Sequence, residues 1–410
     1  MKNMPQESFG TAMPSRPLLV AMVSETYPPE VNGVAHTARR MAQGLISRYH
    51  QVQLIRPRQH AEEQGKHSSS FEEVLVRGMP MPRYAGLRVG FPAASDLLRL
   101  WRARRPHIVL VVTEGPLGWA AMNVAKKLKL PVISEFHTNF HAYSQYYGMS
   151  WLGGAIRGYL RWFHGRALTT LVPTESLRRE LTGVGFRRMQ VLARGVDTAL
   201  FNPARRSRVL RLSWGADDNG TVMLYVGRIA AEKNLSLLID AYRRAQAIRR
   251  DLRLVMVGDG PARAALQGDN PDVIFVGMKT GEALAEHYAS ADLFLFPSTT
   301  ETFGNVVIEA MASGLPVLAY DYAAAREHIR HGENGMLAAF DDPEAFIRLT
   351  ACLTGDTSHA RNMGQQARAS AEGIAWELIH ERYERLITTS VNQWEESENN
   401  KRSLSFVPDL

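Results

Sequence analysis

Leu293-Phe294-Leu295-Phe296-Pro297-Ser298-Thr299-Thr300-Glu301-Thr302-Phe303-Gly304-Asn305-Val306-Val307-Ile308-Glu309 begins with four apolar residues, passes through a turn-forming segment and continues into an apolar run behind Gly304. It reads as strand, loop, then helix. Phe303, Gly304, Asn305 and Val306 are expected to present backbone N–H groups at the helix start, where phosphate oxygens bind. Glu301 in the loop and Glu309 two turns into the helix are expected to lie well apart. That argues against the paired carboxylates of a glycoside hydrolase, which face one bond from ~5–10 Å. Each carboxylate can instead accept hydroxyl hydrogen bonds from a different part of one extended ligand.

The same alternation extends in both directions. Strand-like runs at 18–24, 51–56, 108–113, 132–135 and 168–173 are separated by helical patterns, and after Phe201-Asn202-Pro203 the series restarts at 222–226, 252–257, 273–276, 293–296 and 317–320. Strands alternating with helices signal parallel sheets built from βαβ units. At 410 residues the chain is too long for one core. The reading is two doubly wound, Rossmann-like α/β domains, 16–197 and 198–375, with a helix at 376–395 packing back on the first and flexible ends at 1–15 and 396–410. The carboxyl ends of both sheets, where such folds bind ligands, are expected to face a common cleft.

Composition narrows the class. Hydrophobic residues make up 45% and charged residues 22%, which excludes disorder, collagen and coiled coil. The single cysteine, Cys352, permits neither an internal disulfide nor a cysteine metal cluster, and a reducing cytoplasm is the expected compartment. The apolar stretch 18–23 stops at Ser24-Glu25 and is read as a strand rather than a leader; no run reaches the ~18–20 residues that span a bilayer. Residues 1–200 carry 26 Lys/Arg against 13 Asp/Glu, whereas 201–410 carry 22 against 28. Arginines interleave with aromatics around Trp101 and again across Trp151, Tyr159, Trp162 and Phe163. Basic plus aromatic suggests peripheral docking on an anionic membrane surface, as against merely solvated helix faces. No nucleic-acid-binding signature accompanies the charge.

Three loops add candidate chemistry. Thr26-Tyr27-Pro28-Pro29-Glu30-Val31-Asn32-Gly33-Val34 opens onto a helix amino end that favours an anion, although prolines and Asn-Gly after a strand also make an ordinary turn. Glu135-Phe136-His137-Thr138-Asn139-Phe140-His141 follows a strand, so His137 and His141 are candidates for polar catalytic contact ahead of metal binding. In Gly227-Arg228-Ile229-Ala230-Ala231-Glu232-Lys233-Asn234 the two cations, Arg228 and Lys233, form a plausible diphosphate clamp, though a surface pair would serve as a blander reading.

These blocks, together with Ala193-Arg194-Gly195-Val196-Asp197, Val257-Gly258-Asp259-Gly260-Pro261 and the continuation Glu309-Ala310-Met311-Ala312-Ser313-Gly314-Leu315-Pro316-Val317, occur in the order seen in glycosyltransferase family 4. From about Leu18 to Leu386 the chain resembles a retaining enzyme of the GT-B fold. His137-Thr138-Asn139-Phe140 with Tyr146-Tyr147-Gly148 is similar to the branch of bacterial GDP-mannose-dependent mannosyltransferases and of the glucosyl and sulfoquinovosyl transferases acting on diacylglycerol.

The resemblance implies transfer of a hexosyl unit from GDP-mannose or a UDP-hexose to a lipid acceptor such as diacylglycerol, at the cytoplasmic membrane face, in glycolipid synthesis. Gly33 would approach the donor diphosphate, Arg228 and Lys233 would neutralise it, Glu309 would bind the ribose, Glu301 the sugar, His137 the sugar's 6-position or the reacting region, and the backbone near Gly277 and Met278 the base. No Asp-x-Asp pair that would hold a divalent ion is evident, and Asp341-Asp342 precedes Pro343 far from the other motifs, so neither metal nor cofactor is expected. Front-face attack is favoured over a covalent intermediate. A sugar-nucleotide epimerase of the same fold, and transfer to a soluble or polysaccharide acceptor, are the alternatives. The donor's base and sugar, the acceptor and the oligomeric state stay open.

Overall fold

The computed structural model describes residues 16–30, 32–80, 88–137, 150–217 and 220–404. Residues 1–15 and 405–410, Val31, and the segment from Thr138 through His141 to Gly148, all named above, lie outside these, as does the side chain of Trp151. The chain divides into two compact units, the first drawn from 1–136, 160–171 and 380–410 and the second from 137–159 and 172–379.

The strands in chain order are β1 (Leu19–Val23), β2 (Gln51–Pro57), β3 (Phe71–Val76), the antiparallel pair β4 (Gly78–Pro80) and β5 (Arg88–Gly90), β6 (Ile108–Val111), β7 (Val132–Glu135), β8 (Thr169–Val172) and β9 (Met189–Val191). The first sheet runs β3-β2-β1-β6-β7-β8-β9. Pairings from β3 through β8 are parallel. Strand order reverses between β1 and β6, and there the helix Gly33–Ser47 starts: Asn32 caps it by accepting the Ala35 N–H at 2.8 Å, and Ala35, Ala38, Met41, Ala42 and Leu45 form its buried face.

In the second unit follow β10 (Thr221–Val226), β11 (Leu252–Val257), β12 (Ile274–Gly277), β13 (Leu293–Phe296), β14 (Val317–Tyr320) and β15 (Gly335–Ala338), ordered β12-β11-β10-β13-β14-β15 and parallel throughout. Every residue of β10, β13 and β14 is buried, as expected of parallel strands covered on both faces. Here the order reverses between β10 and β13. Leu235, Leu238, Ile239, Tyr242 and Ala245 give the helix Leu235–Ile248 its apolar stripe.

Four expectations change. Strands β3, β9 and β15 join the sheets unannounced: β3 and β9 carry polar residues such as Glu72, Glu73 and Gln190 at a sheet edge, and β15, at the edge of the second sheet, opens on Gly335 and offers only three apolar residues behind it. Residues 172–197, read as part of the first domain, are divided in allegiance: β9 and the end of β8 belong to the first sheet, while the segment's contacts group it with the second unit, where Ser176 N–H donates to Glu327 Oε1 at 3.1 Å and Val196 bridges Ala375. Residues 396–404 are helical, not a frayed tail: Trp376–Leu404 is one helix, with Lys401 and Glu398 paired a turn apart at 2.9 Å. Trp101 is no membrane anchor. It is fully buried and donates its indole N–H to Gln53 Oε1 at 3.1 Å, while neighbouring Arg104 pairs with Glu72 and Arg105 caps the carbonyls of Leu128 and Lys129.

Candidate active site

The loops after β10 and β13 leave adjacent strands at the point where strand order reverses, which brings residues far apart in sequence into contact. The Tyr225 hydroxyl donates to the Arg228 carbonyl at 3.0 Å, and the loop is braced by Ile229 N–H on Asp259 O at 2.9 Å. Gly258 is required for that bracing: at φ 140°, a Cβ on it would stand 1.9 Å from the Gly227 carbonyl oxygen.

Lys233 closes the loop and forms an ion pair with Glu301 Oε1, while the Ser298 hydroxyl donates to the same carboxylate oxygen at 2.8 Å. The Glu301 loop is anchored by Tyr322, whose hydroxyl donates to the Glu301 carbonyl at 2.7 Å, and by Thr300 Oγ1 on Glu232 O at 3.2 Å. Arg228, half exposed, pairs with Glu232 at 3.3 Å. Each cation thus rests on a carboxylate of its own neighbourhood.

Beyond this loop the helix Asn305–Ala312 starts behind Gly304, which has φ 91° as its N-cap. First-turn N–H groups have no intrahelical acceptor and point to where an anion would sit. Phe303 does not present itself to a ligand by its side chain, which is buried; its carbonyl accepts the Ala324 N–H at 2.8 Å. Glu309, in the same helix, accepts a 3.0 Å hydrogen bond from the Tyr288 hydroxyl. Burial pushes its carboxyl up to about 7, with the Tyr288 bond working the other way, and the same burial drives the Tyr288 phenol far above its usual range. Gly277 ends β12 with φ 73° and accepts the Gly258 N–H at 3.0 Å, and Met278 beside it is exposed.

His137 joins this unit through Arg194, a residue quoted above but given no task. Arg194 is buried; its Nη2 lies 3.1 Å from His137 Nδ1, its Nη1 3.5 Å from Asn305 Oδ1, and its guanidinium 5.5 Å from the centre of the Phe303 ring. A guanidinium can only donate, so Nδ1 is the acceptor and the His137 ring proton sits on Nε2. Thr302 Oγ1 donates to the His137 carbonyl at 3.2 Å. Sequence reasoning assigned no role to Arg194, Tyr288 or Thr302, because nothing local marks a residue as the brace of another 57, 21 or 165 positions away. Ser298, three residues before Glu301, is quoted above without a task, although a hydroxyl so close to a loop carboxylate is the signal for it.

Gly33 lies in the first unit, where the surroundings are acidic. Glu25 after β1 accepts the Leu117 N–H at 2.8 Å, and a Cβ on Gly115 would collide with its carboxylate. Burial pushes Glu25 up to about 7; Glu114 and Glu30 add to the rise and the Leu117 bond offsets part of it. The His164 ring connects Glu114 Oε1, at 3.3 Å from Nε2, to the Ser134 hydroxyl, at 2.9 Å from Nδ1. Of the helix N–H groups beside Gly33, that of Ala35 is already taken by Asn32.

Two family descriptions cover most of this framework: "Glycosyltransferase Family 4" matches residues 31–200, and "Glycosyl transferases group 1" matches 220–356. A GDP-mannose-dependent alpha-mannosyltransferase of Corynebacterium glutamicum is 34% identical over 370 residues, covering 89% of this chain and 87% of that protein. The chain belongs to glycosyltransferase family 4. As a family-4 glycosyltransferase it is also 27% identical to an alpha-monoglucosyldiacylglycerol synthase of Streptococcus pneumoniae, over 73% of this chain and 70% of that one. Its fold is GT-B: a sucrose-phosphate synthase of Thermosynechococcus elongatus superposes with TM-score 0.75 at 19% identity, over 90% of this chain and 98% of the other. Among the described residues no helix is long and apolar enough to cross a membrane.

Proposed function

We propose that this glycosyltransferase moves a hexosyl unit, with retention of configuration and without a metal ion, from GDP-mannose or a UDP-hexose to a lipid acceptor such as diacylglycerol at the cytoplasmic face of a membrane. The observation that carries the reading is the Lys233–Glu301–Ser298 cluster beside the Gly304-capped helix: a cation, a hydroxyl-accepting carboxylate and a helix amino end within one unit. A diphosphate fits the cation and the helix end, and Lys233 exchanges part of its contact with Glu301 for phosphate oxygens. Arg228 supplies the second charge. Glu301 then takes the sugar hydroxyls, Glu309 the ribose, the stretch at Gly277 and Met278 the base, and Gly33 the outer side of the diphosphate. The C1–O bond to the diphosphate breaks as the acceptor oxygen bonds C1 on the same face. The acceptor proton passes to the departing phosphate oxygen, and Arg228 and Lys233 stabilise the charge that develops there. His137, held by Arg194, bears on the reacting region through its Nε2–H.

The relatives named for GDP-mannose and for diacylglycerol support the donor and acceptor classes. Half-exposed Tyr159 and Trp162 on the arginine-bearing helix Ser150–His164 support peripheral docking. The deciding experiment incubates the purified enzyme with a panel of UDP- and GDP-sugars plus diacylglycerol vesicles or soluble acceptors, with mass spectrometry for products and NMR for anomeric configuration. An α-linked glycolipid from an α-linked donor is the expected product. An epimerised nucleotide sugar with no transfer, or a product of inverted configuration, would replace the reading.

A further inference from the structure

A cavity of about 600 Å³ lies in the first unit, between the helix Pro116–Lys127, the segments leading into β7 and β8, and the last turns of the helix Trp376–Leu404. Its lining at Lys129, Leu130 and Val132 precedes or opens β7, and at Arg166 and Leu168 precedes β8. It therefore sits at the amino ends of these strands, on the opposite edge of the sheet from Glu25 and Glu114, which follow the carboxyl ends of β1 and β6. No step proposed above uses it.

Its walls are two-natured. Met122, Leu130, Val132, Leu168 and Trp394 are apolar, whereas Lys126, Lys129, Arg166 and Lys401 face a single carboxylate, Glu398. Glu398 is engaged by Lys401 at 2.9 Å, and among the described residues no carboxylate pairs with Lys126, Lys129 or Arg166. Cations are common at helix carboxyl ends for the sake of the exposed carbonyls. That explanation is weak here, since Arg105 already donates to the Leu128 and Lys129 carbonyls at 2.7 and 3.1 Å. Arg166 stacks 4.5 Å over the Trp162 ring and reaches Asn123 at 3.4 Å, yet its buried Nε–H meets no acceptor among the described residues. That Nε–H is itself covered, so an anion in the cavity would meet the guanidinium through its terminal nitrogens.

We infer that this cavity seats the phosphate-bearing head group of an anionic phospholipid, with the phosphate against Arg166 and Lys129 and the glycerol and first methylenes against Trp394, Met122 and Leu130. The cavity matches the 300–1,000 Å³ of small-ligand sites, enough for a head group while the acyl chains stay in the bilayer. The excess of cations supplies selectivity for acidic over zwitterionic lipid, and the apolar wall favours a lipid over a free phosphate. This deepens the membrane half of the proposed function and is independent of the sugar donor.

The test compares two charge-reversed variants of the full chain. Lys129→Glu/Arg166→Glu alters the cavity wall; Lys127→Glu/Arg102→Glu makes the same change at exposed positions outside it and off the helix Ser150–His164. Co-sedimentation with phosphatidylglycerol/phosphatidylcholine vesicles should weaken at least tenfold in the first and less than threefold in the second. Dihexanoyl phosphatidylglycerol, below its micelle concentration, should raise the melting temperature of the wild type and not of the cavity variant, and inorganic phosphate should leave both unchanged. Equal weakening of the two variants would mean diffuse surface charge, and protection by phosphate equal to that by the lipid would mean a free-phosphate site; either overturns the inference. If the double reversal does not fold, Lys129→Gln/Trp394→Leu in the same assays replaces it. Selective lipid binding without glycolipid formation from any donor would sink the acceptor assignment alone, so the two readings fail separately.

Discussion

The two points of strand reversal have the same topology and opposite chemistry. Between β10 and β13 in the second unit stand Lys233 and Arg228, each resting on a carboxylate; between β1 and β6 in the first stand Glu25, Glu30 and Glu114. The chain's bulk charge runs the other way, since residues 1–200 have twice as many cations as acids and residues 201–410 have an excess of acids. Sheet topology therefore sets where a ligand can bind, and a handful of loop residues sets its charge, regardless of the sign of the surrounding surface. On the proposed function, cations that can exchange a carboxylate for phosphate suit a diphosphate leaving group, and acidic surroundings suit hydroxyls.

Lys233→Ala is the strongest way to break this contrast. Loss of the charge that meets the leaving group should cost ~2–4 kcal/mol in the transition state, lowering kcat/KM by roughly 30- to 1,000-fold in steady-state assays with the fold intact by circular dichroism. Arg228→Ala should follow in direction. Glu25→Gln should spare slow hydrolysis of the donor while reducing transfer, and equal loss of both would erase the distinction between the two regions.

Glu309→Gln sharpens it next. The Glu309 carboxyl stands at about 7 in the folded protein against an ordinary value of 4.5, so the unfolded chain gives up this proton first as pH rises. Stability is lost between about pH 4.5 and 7 and stays lower above. The glutamine variant escapes that loss: by urea denaturation it should match the wild type near pH 4.5 and exceed it by up to about 3 kcal/mol at pH 8. Its donor KM should nonetheless be higher, most of all above pH 7, where the native carboxylate is ionised.

Tyr288→Phe removes only the hydroxyl that orients Glu309, so a smaller effect is expected, about 1 kcal/mol, seen as a several-fold rise in donor KM with kcat nearly unchanged. Smallest of all should be the response to EDTA: turnover in excess chelator should equal that without it, and recovery by added Mg²⁺ of an activity lost to EDTA would contradict a diphosphate held by side chains and helix ends.

Legibility in the sequence follows burial and locality. Strands β10, β11, β13 and β14 are central, buried and apolar along nearly their whole length, and their patterns locate them to within a residue. β9 and β15 are edge strands of three and four residues, too short for periodicity to register. Trp101 shows the converse error. Its four flanking arginines suggest a surface, but helix geometry turns the indole inward to Gln53 and leaves the arginines outside.

The order of strands and helices, the restart after Asn202-Pro203 and the placement of loops bearing Lys233, Glu301 and Glu309 are properties of the sequence alone, because apolar runs and turn residues act over a few positions. Partnerships are not. That Lys233 meets Glu301, 68 residues on, and that Tyr288 braces Glu309 depend on β13 lying beside β10 and on helices folding over that pair. That Arg194 holds His137 across 57 depends on β7 and β9 sharing the first sheet. Sheet order is decided by packing among all the elements at once. A side chain's pattern within its own strand or helix records only which face is buried, so the neighbours it will touch emerge when the sheet closes ranks.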